Sequence, residues 1–242
     1  MSVVSDVVEV IEGRDDARVL LTCEHASNAL PAPWAWPDED RWLIETHWAI
    51  DLGIAAVTRH LAQAIDAPAV LAKFSRLLCD ANRPLDAETL FRTIADGHPV
   101  RLNQALTDAE RIARIRRLHE PYHATADALL ARYPHAVVLS MHSFTPVYQD
   151  GPPRPMEIGV LFDQEEQISV AIAESMAADG WRVALNEPYS GKDGLIYAAD
   201  RHATRHHRRA LELEVRQDVA LDGSRHAALV HSIRRALIHA GV

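Results

Sequence analysis

The chain carries only two cysteines, Cys23 and Cys79, in 242 residues, too few for a disulfide framework. It has no run of 18 or more apolar residues, so no membrane-spanning helix is expected and no membrane partner. Met1 to Asp16 lacks a basic segment followed by an apolar stretch, which argues against a secretory leader and for a soluble, cytoplasmic protein. Positive charge is in deficit, with 25 Lys and Arg against 34 Asp and Glu, and the formal net charge of -9 speaks against nucleic acid as a partner. The basic stretch Arg201 to Arg209 is accordingly read as a solvated face or an active-site loop. No Gly/Ser-rich or Pro-rich linker, charge block or repeat divides the chain, so residues 1–242 read as one domain with room for a large core.

Two short apolar runs each end in a histidine: Val19 to His25 and Ala136 to His142. Apolar, β-branched runs of this length, bounded by Pro31 and Pro33 in the first case and by Pro134 and Pro146 in the second, read as buried strands of a parallel-type sheet. Ligands bind at the carboxyl edge of such sheets, so two imidazoles delivered there from distant parts of the chain look like the start of a metal site; the alternative is a pair of strand caps bonded to backbone. The proline-dense Gly151 to Pro155 is a rigid loop beside the second histidine.

Elsewhere the pattern alternates between helix and strand. Asp38 or Asp40 is placed to cap a helix running to about Gln63, with Ile50, Ile54, Val57 and Leu61 as its apolar stripe. Strands are expected at Ala69 to Phe74 and, as a second extended piece, at Arg76 to Asp80. Thr107 and Glu110 have the spacing of a capping box for a long helix through Leu130. Further strands follow at Glu157 to Phe162, Trp181 to Leu185 and Ala210 to Arg216, with helices at about Gln164 to Ala178 and Gly223 to Ala240. Strands separated by helices predict an α/β fold with helices on both faces of a central sheet. Some connections are too short for a helical crossover, so the sheet is expected to be mixed.

Several polar residues fall near predicted strand ends. In Asp80-Ala81-Asn82-Arg83-Pro84 an Asn-Arg pair can hold a carboxylate, the guanidinium matching it bidentately; a turn with a surface arginine is the plainer reading. Glu214 and Glu212 share one face of the last strand, Leu213 and Val215 the other. Near a metal, Glu214 can take a proton from water and return it to a leaving amine; alone it is an edge-strand charge. Asp51 lies four residues after His47, on one face of the expected helix, and a partly buried carboxylate there needs a partner that a metal would supply.

Taken in order, Cys23-Glu24-His25-Ala26-Ser27-Asn28 with Pro31, the Asp80-to-Pro84 motif, Pro121-Tyr122-His123, Met141-His142-Ser143-Phe144 with Pro146, and Leu213-Glu214-Val215-Arg216-Gln217-Asp218 resemble the successive motifs of the N-formylglutamate amidohydrolase family. The resemblance implies a three-layer α/β/α sandwich with a mixed, mostly parallel sheet, phosphorylase/hydrolase-like and related to the zinc exopeptidases and aspartoacylases. It also implies hydrolysis of an N-formyl or N-acyl amino acid, foremost N-formylglutamate, to formate and the free amino acid, an activity of amino-acid metabolism and histidine degradation. By the same likeness His25 and His142 are zinc ligands, with manganese, iron or cobalt as alternatives. Asn82 and Arg83 grip the α-carboxylate and Glu214 is the general base. Asp200-Arg201-His202-Ala203 also resembles a family motif, which makes His202 a substrate-side or oxyanion candidate.

One departure bears on the metal. Zinc carboxypeptidases and aspartoacylases place a glutamate three residues after the first ligand, whereas here Asn28 stands there, and asparagine is a poor zinc ligand. Asp51 is the first choice for the third ligand, in a stretch similar to one in the family; Glu24 is the second, although strand alternation puts it opposite His25. His123 either contacts substrate or bonds within the helical layer. Arg216 and Arg76 are available for a side-chain carboxylate, and Arg216 is expected among the substrate contacts. Two other readings stay open: an amidase using Cys23 as nucleophile beside His25, and a non-catalytic carboxylate-binding protein that has lost its metal through Asn28.

Overall fold

Alternation of apolar side chains along short strands builds the centre of the molecule, of which the computed structural model describes residues 6–242. Positions 1–5 of the N-terminal stretch read above as lacking a leader lie outside the described residues. The strands are β1 (Val8–Ile11), β2 (Val19–Cys23), β3 (Ala69–Ala72), β4 (Ile94–Ala95), β5 (His98–Pro99), β6 (Val137–Phe144), β7 (Ile158–Leu161), β8 (Val183–Leu185) and β9 (Ala210–Arg216). Seven of them form one sheet in the order β1-β3-β2-β6-β9-β7-β8, while β4 and β5 pair separately. The middle, β3-β2-β6-β9, is parallel; β1 pairs antiparallel with β3 and β7 antiparallel with β9, giving the expected mixed sheet. The helices are α1 (Ile54–Ile65), α2 (Asp108–Arg114), α3 (Glu120–Arg132), α4 (Glu166–Ala178), α5 (Tyr197–His206), α6 (Gln217–Ala220) and α7 (His226–His239).

Helices cover both faces. Leu21, Leu139, Leu211 and Leu213 pack with Val57 and Leu61 of α1, Ile172 of α4 and Ile233 of α7. Leu20, Val70, Val138 and Ala210 pack on the other face with Tyr122, Ala126 and Leu129 of α3 and Ala203 of α5. A slip of one residue would exchange the two faces, so burial fixes the register. On the α3 side three of the four middle strands turn polar toward their carboxyl ends: Leu20 gives way to Thr22 and Glu24, Val138 to Ser140 and His142, and Ala210 to Glu212 and Glu214, all buried. The pairing sets Ser140 beside Glu212 and His142 beside Glu214. A polar seam inside an otherwise apolar layer must be fully partnered or functional.

The structure corrects several local expectations. No continuous helix joins Asp38 to Gln63: a 3-10 turn spans Asp38–Leu43 and α1 begins only at Ile54. Gly53 causes the break, for it sits at φ 81° and a Cβ there would lie 2.4 Å from the Ala220 carbonyl oxygen. Asp40 caps no helix of its own but accepts the backbone N–H groups of Arg101 and Leu102 at 2.9 and 2.6 Å. His47 and Asp51 therefore share no helix face; Asp51 lies in the loop that enters α1. Arg76 to Asp80 is a turn rather than a strand, because Ser75 Oγ donates to the Ala49 carbonyl and accepts from the Leu77 N–H, and Leu78 N–H bonds the Ser75 carbonyl.

Thr107 does cap α2 by accepting from Glu110 N–H at 3.2 Å, but the Glu110 carboxylate turns to Trp34 and Arg114 instead of closing the box. The helical run then widens to a π turn over Ile115–His119, just before Pro121, whose ring and missing N–H disrupt the ordinary ladder. Arg201 to Arg209 is no loop for most of its length: α5 continues to His206 and ends on His207 in the left-handed conformation. No helix among the described residues is long and apolar enough to cross a membrane.

Candidate metal centre and substrate cavity

Three donor groups arrive at one point from three places in the chain. His25 follows the end of β2, His142 lies within β6, and Asp51 is held on the loop before α1 by its N–H bonding the His25 carbonyl at 3.1 Å. Asp51 Oδ2 is 2.8 Å from His142 Nδ1 and 3.4 Å from His25 Nδ1, and it also accepts from Ser143 N–H at 3.2 Å. The far nitrogen of each ring is held by a carboxylate: His25 Nε2 lies 2.7 Å from Asp80 Oδ1 and His142 Nε2 lies 3.1 Å from Glu24 Oε2. Ionised carboxylates only accept, so each neutral ring carries its hydrogen on Nε2 and turns the Nδ1 lone pair toward Asp51.

Two nitrogens and a carboxylate oxygen at these distances need positive charge among them, a proton on His142 or a metal ion, and among the described residues His25, Asp51 and His142 form a group of donors with the spacing for a metal ion. Carboxylates on the outer nitrogens are the usual support for imidazole ligands. The surrounding charges agree. Burial works against charge on His142, yet Glu212, Asp51 and Glu24 hold its pKa well above the usual range. Burial also opposes ionisation of Asp51, but His25 and His142 hold it well below the ordinary carboxylate range. Glu212 is pushed up to about 7 by burial and by Glu24 and Asp51, and Glu214 is pushed well above its ordinary value by burial and by Glu212. Oε2 of each glutamate is buried without a hydrogen-bond partner among the described residues. Positive charge where the three donors meet would relieve both glutamates, so the residues present fit a divalent metal.

A cavity of about 310 Å³ opens on this centre. It is lined by His25, Asp51, His142, Glu212 and Glu214, by Arg76, Arg83 and Arg92, and by aromatic residues including Trp48, Tyr148 and Tyr189. Arg76 bridges Asp51 and Asp80 at 3.2 Å each. Arg83 bonds only neutral groups, the Asn82 carbonyl at 2.7 Å and Thr89 Oγ1 at 3.2 Å. Arg92 lies over the Trp48 ring at 5.3 Å, and burial beside Arg76 lowers its pKa. Neither Arg83 nor Arg92 has an ion-pair partner among the described residues. Asn82 lines the cavity, but its amide is engaged: Oδ1 accepts Ala198 N–H at 2.9 Å and Nδ2 faces the Leu195 carbonyl at 3.4 Å, tying the motif to the start of α5.

Other sequence candidates fall elsewhere. Glu24 is saturated by His142, Ser140 Oγ and Tyr122 OH, the last two at 2.8 Å, and so supports a ligand rather than being one. Asn28 donates to the Ile44 carbonyl at 2.8 Å, away from the donors. Arg216 is outside the cavity lining: its Nε and Nη2 grip Asp218 at 2.7 and 2.9 Å, and Nη1 bonds backbone carbonyls of the 154–156 loop. His123 and His202 are also outside it, buried between α3 and α5 and bonded to each other at 3.0 Å, which for His123 is the helical-layer alternative and leaves His202 away from the cavity lining. Cys23 is packed in the apolar layer beside α1 and burial pushes its thiol up to about 12, so it is no nucleophile at this site.

Sequence reasoning passed over Asp80, although it opens the Asn82-Arg83 motif, and Tyr122, which neighbours His123. Arg92 has no local sequence signal at all. Strand alternation puts Glu212 on the same face as Glu214 but carries no sign of a role for it.

The model of the N-formylglutamate amidohydrolase family matches residues 17–221 of the chain. No curated protein matches it. Among solved structures, gene product Atu2144 from Agrobacterium tumefaciens superposes with a TM-score of 0.87 at 30% identity, over 96% of this chain and 95% of that one. N-formylglutamate amidohydrolase from Ralstonia eutropha superposes at 0.76 with 20% identity, over 98% of this chain and 100% of its own. The cell shape determinant Csd4 of Helicobacter pylori superposes at 0.50 with 16% identity, over 97% of this chain and 55% of that one. The last two likenesses bear on the fold alone.

Proposed function

This chain belongs to the N-formylglutamate amidohydrolase family, and from that premise we propose that it hydrolyses an N-formyl amino acid with two carboxylates, N-formylglutamate foremost, in a cytoplasmic setting. The observation that carries the reading is the meeting of His25 Nδ1, His142 Nδ1 and Asp51 Oδ2 in a cavity that also holds Glu214 and two guanidiniums without anionic partners. His25, His142 and Asp51 would hold the metal; two imidazoles and a carboxylate suit zinc. When bound there, zinc supplies Lewis acidity toward the scissile carbonyl and makes water a stronger acid.

The chain's own residues account for the rest. Glu214, on the seam next to His142, takes a proton from the attacking water and returns it to the departing nitrogen. Arg83 binds the α-carboxylate, and Asn82 fixes the loop that carries it. Arg92, stacked on Trp48, takes the side-chain carboxylate in this reading. The aromatic rings narrow the cavity and exclude water around the reacting amide.

Metal analysis of the purified protein combined with assays of N-formylglutamate, its α-amide and N-formylglutamine tests this. Stoichiometric metal and turnover of N-formylglutamate are expected. Leaving Arg83 unpaired should cost the α-amide on the order of 2 to 5 kcal/mol of binding. N-formylglutamine should be the poorer side-chain variant, and Arg92→Met should erase that preference. Efficient turnover of the α-amide, or activity confined to substrates with no carboxylate, would overturn the reading.

A further inference from the structure

We propose that Asp127, His202, His123 and His119 form a hydrogen-bonded relay that positions Arg83 and so sets how tightly the cavity grips its substrate's carboxylate. The proposal rests on the reading of Arg83 given above. The relay is continuous. From Asp127 Oδ1 on α3 the contacts run to His202 Nδ1 at 2.8 Å, from His202 Nε2 to His123 Nδ1 at 3.0 Å, and from His123 Nε2 to His119 Nε2 at 3.2 Å. His119 Nε2 lies 3.1 Å from the Arg83 carbonyl oxygen. All three imidazoles are buried, with relative exposures of 4, 2 and 0% for His119, His123 and His202, so none relies on bulk water for these contacts.

Both ends of the chain accept hydrogen bonds, and that fixes every proton between them. The Asp127 carboxylate requires the hydrogen of His202 on Nδ1, which leaves His202 Nε2 as an acceptor. His123 must then carry its hydrogen on Nδ1 and accept on Nε2. His119 completes the order by holding its hydrogen on Nε2, directed between His123 Nε2 and the Arg83 carbonyl. Three hydrogens thus serve the four contacts, that of His119 being shared between two acceptors. Burial, with His119 and His202 as neighbours, lowers the His123 pKa to about 2, and burial also lowers that of His119, so these two rings stay neutral.

At the inner end the relay holds a short segment on which the guanidinium is itself folded. Arg83 Nη1 bonds the preceding carbonyl, Nε bonds Thr89, and Arg83 N–H bonds the carbonyl of Asp80, the residue that holds His25. At the outer end Asp127 is fixed in turn by Arg201 at 3.3 Å and His206 at 3.1 Å. The orientation of Arg83 is therefore tied to groups on α5 that do not line the cavity. Ordered polar networks of this kind favour one geometry over its neighbours.

Imidazole 15N NMR of the metal-loaded protein reads the relay without substrate. His123 and His202 are expected as Nδ1–H tautomers and His119 as Nε2–H at neutral pH; an Nε2–H or protonated His123 would overturn the relay. Kinetics reads its consequence. His119→Leu should raise KM for N-formylglutamate about tenfold, the size of one lost hydrogen bond, with kcat and metal content little changed. His119→Gln keeps an N–H near the Nε2 position and should restore KM. In an Arg83→Ala background His119→Leu should add nothing; an equal effect there would show that it acts elsewhere and would overturn the proposal. Unchanged KM in Arg83→Ala alone would overturn the carboxylate reading and the functional half of this proposal with it. A raised KM in Arg83→Ala with none in a folded His119→Leu would overturn the relay alone.

Discussion

Two clusters of histidine and carboxylate lie on the α3 side of the sheet, and they solve the burial of polar groups in opposite ways. At the strand ends, His25 and His142 face Asp51 and are backed by Asp80 and Glu24, with Glu212 and Glu214 beside them. Between α3 and α5, His119, His123, His202 and His206 share the one carboxylate of Asp127. Nitrogens converge in the first cluster and run in line in the second. Excess carboxylate around converging lone pairs demands a cation, whereas rings in line with one acceptor at each end satisfy themselves by choosing tautomers. Histidine content therefore says little about metal binding; the ratio and direction of the donors decide it.

The largest expected effect separates the clusters by chemistry. His25→Ala or His142→Ala should abolish metal binding and activity together, while Glu214→Gln should keep its metal and lose roughly 10² to 10⁴ in kcat, the usual worth of general acid-base catalysis. His123→Phe in the linear cluster should retain stoichiometric metal. Elemental analysis beside steady-state kinetics checks all of these, and metal loss in His123→Phe would erase the distinction.

A smaller effect tests the groups behind the ligands. Asp80→Asn and Glu24→Gln remove a carboxylate from the outer nitrogen of a ligand and should weaken metal affinity about 10- to 100-fold. Asp127→Asn removes the equivalent carboxylate of the linear cluster and should leave metal affinity unchanged in chelator competition. Equal losses would mean that both clusters support the metal.

The smallest effect is one of pH. Burial raises the Asp127 pKa, but His202, Arg201 and His206 outweigh it and hold the carboxyl below its ordinary value. A depressed carboxyl contributes stability that is present above its unfolded pKa, about 3.9, and is lost as pH falls through the lower folded value. Asp127→Asn should thus be less stable than the parent at neutral pH, with the difference narrowing below about pH 4. Urea titrations at several pH values read this directly, and a gap that widened on acidification would reverse the sign assigned to Asp127.

Side-chain period made much of the sheet legible. β9 has the expected ends, Ala210–Arg216, and both apolar runs form parallel strands that bring His25 and His142 to the carboxyl edge of the sheet. Glu212 and Glu214 face the same side because strand alternation leaves no other choice. The Asn82-Arg83 segment does reach the cavity. Arg216 shares the parity of Glu214 yet leaves the site, since Asp218 and the 154–156 carbonyls lie within its reach at the strand end. β1 has little local signal, since an edge strand of four residues is too short for its alternation to stand out.

What the sequence determined by itself is whatever a local period can encode: the central strands, the layered α/β plan, and which residues of a strand share a face. Tertiary structure alone decided the rest of the site. Asp51, Asp80 and Arg92 sit in loops and turns, where side-chain direction follows from φ and ψ set by distant contacts, such as Gly53 against Ala220 or Ser75 against Ala49. The tautomers of the histidine relay depend on acceptors far apart in sequence, Asp127 and the Arg83 carbonyl, and only the folded packing of α3 against α5 brings them into one chain.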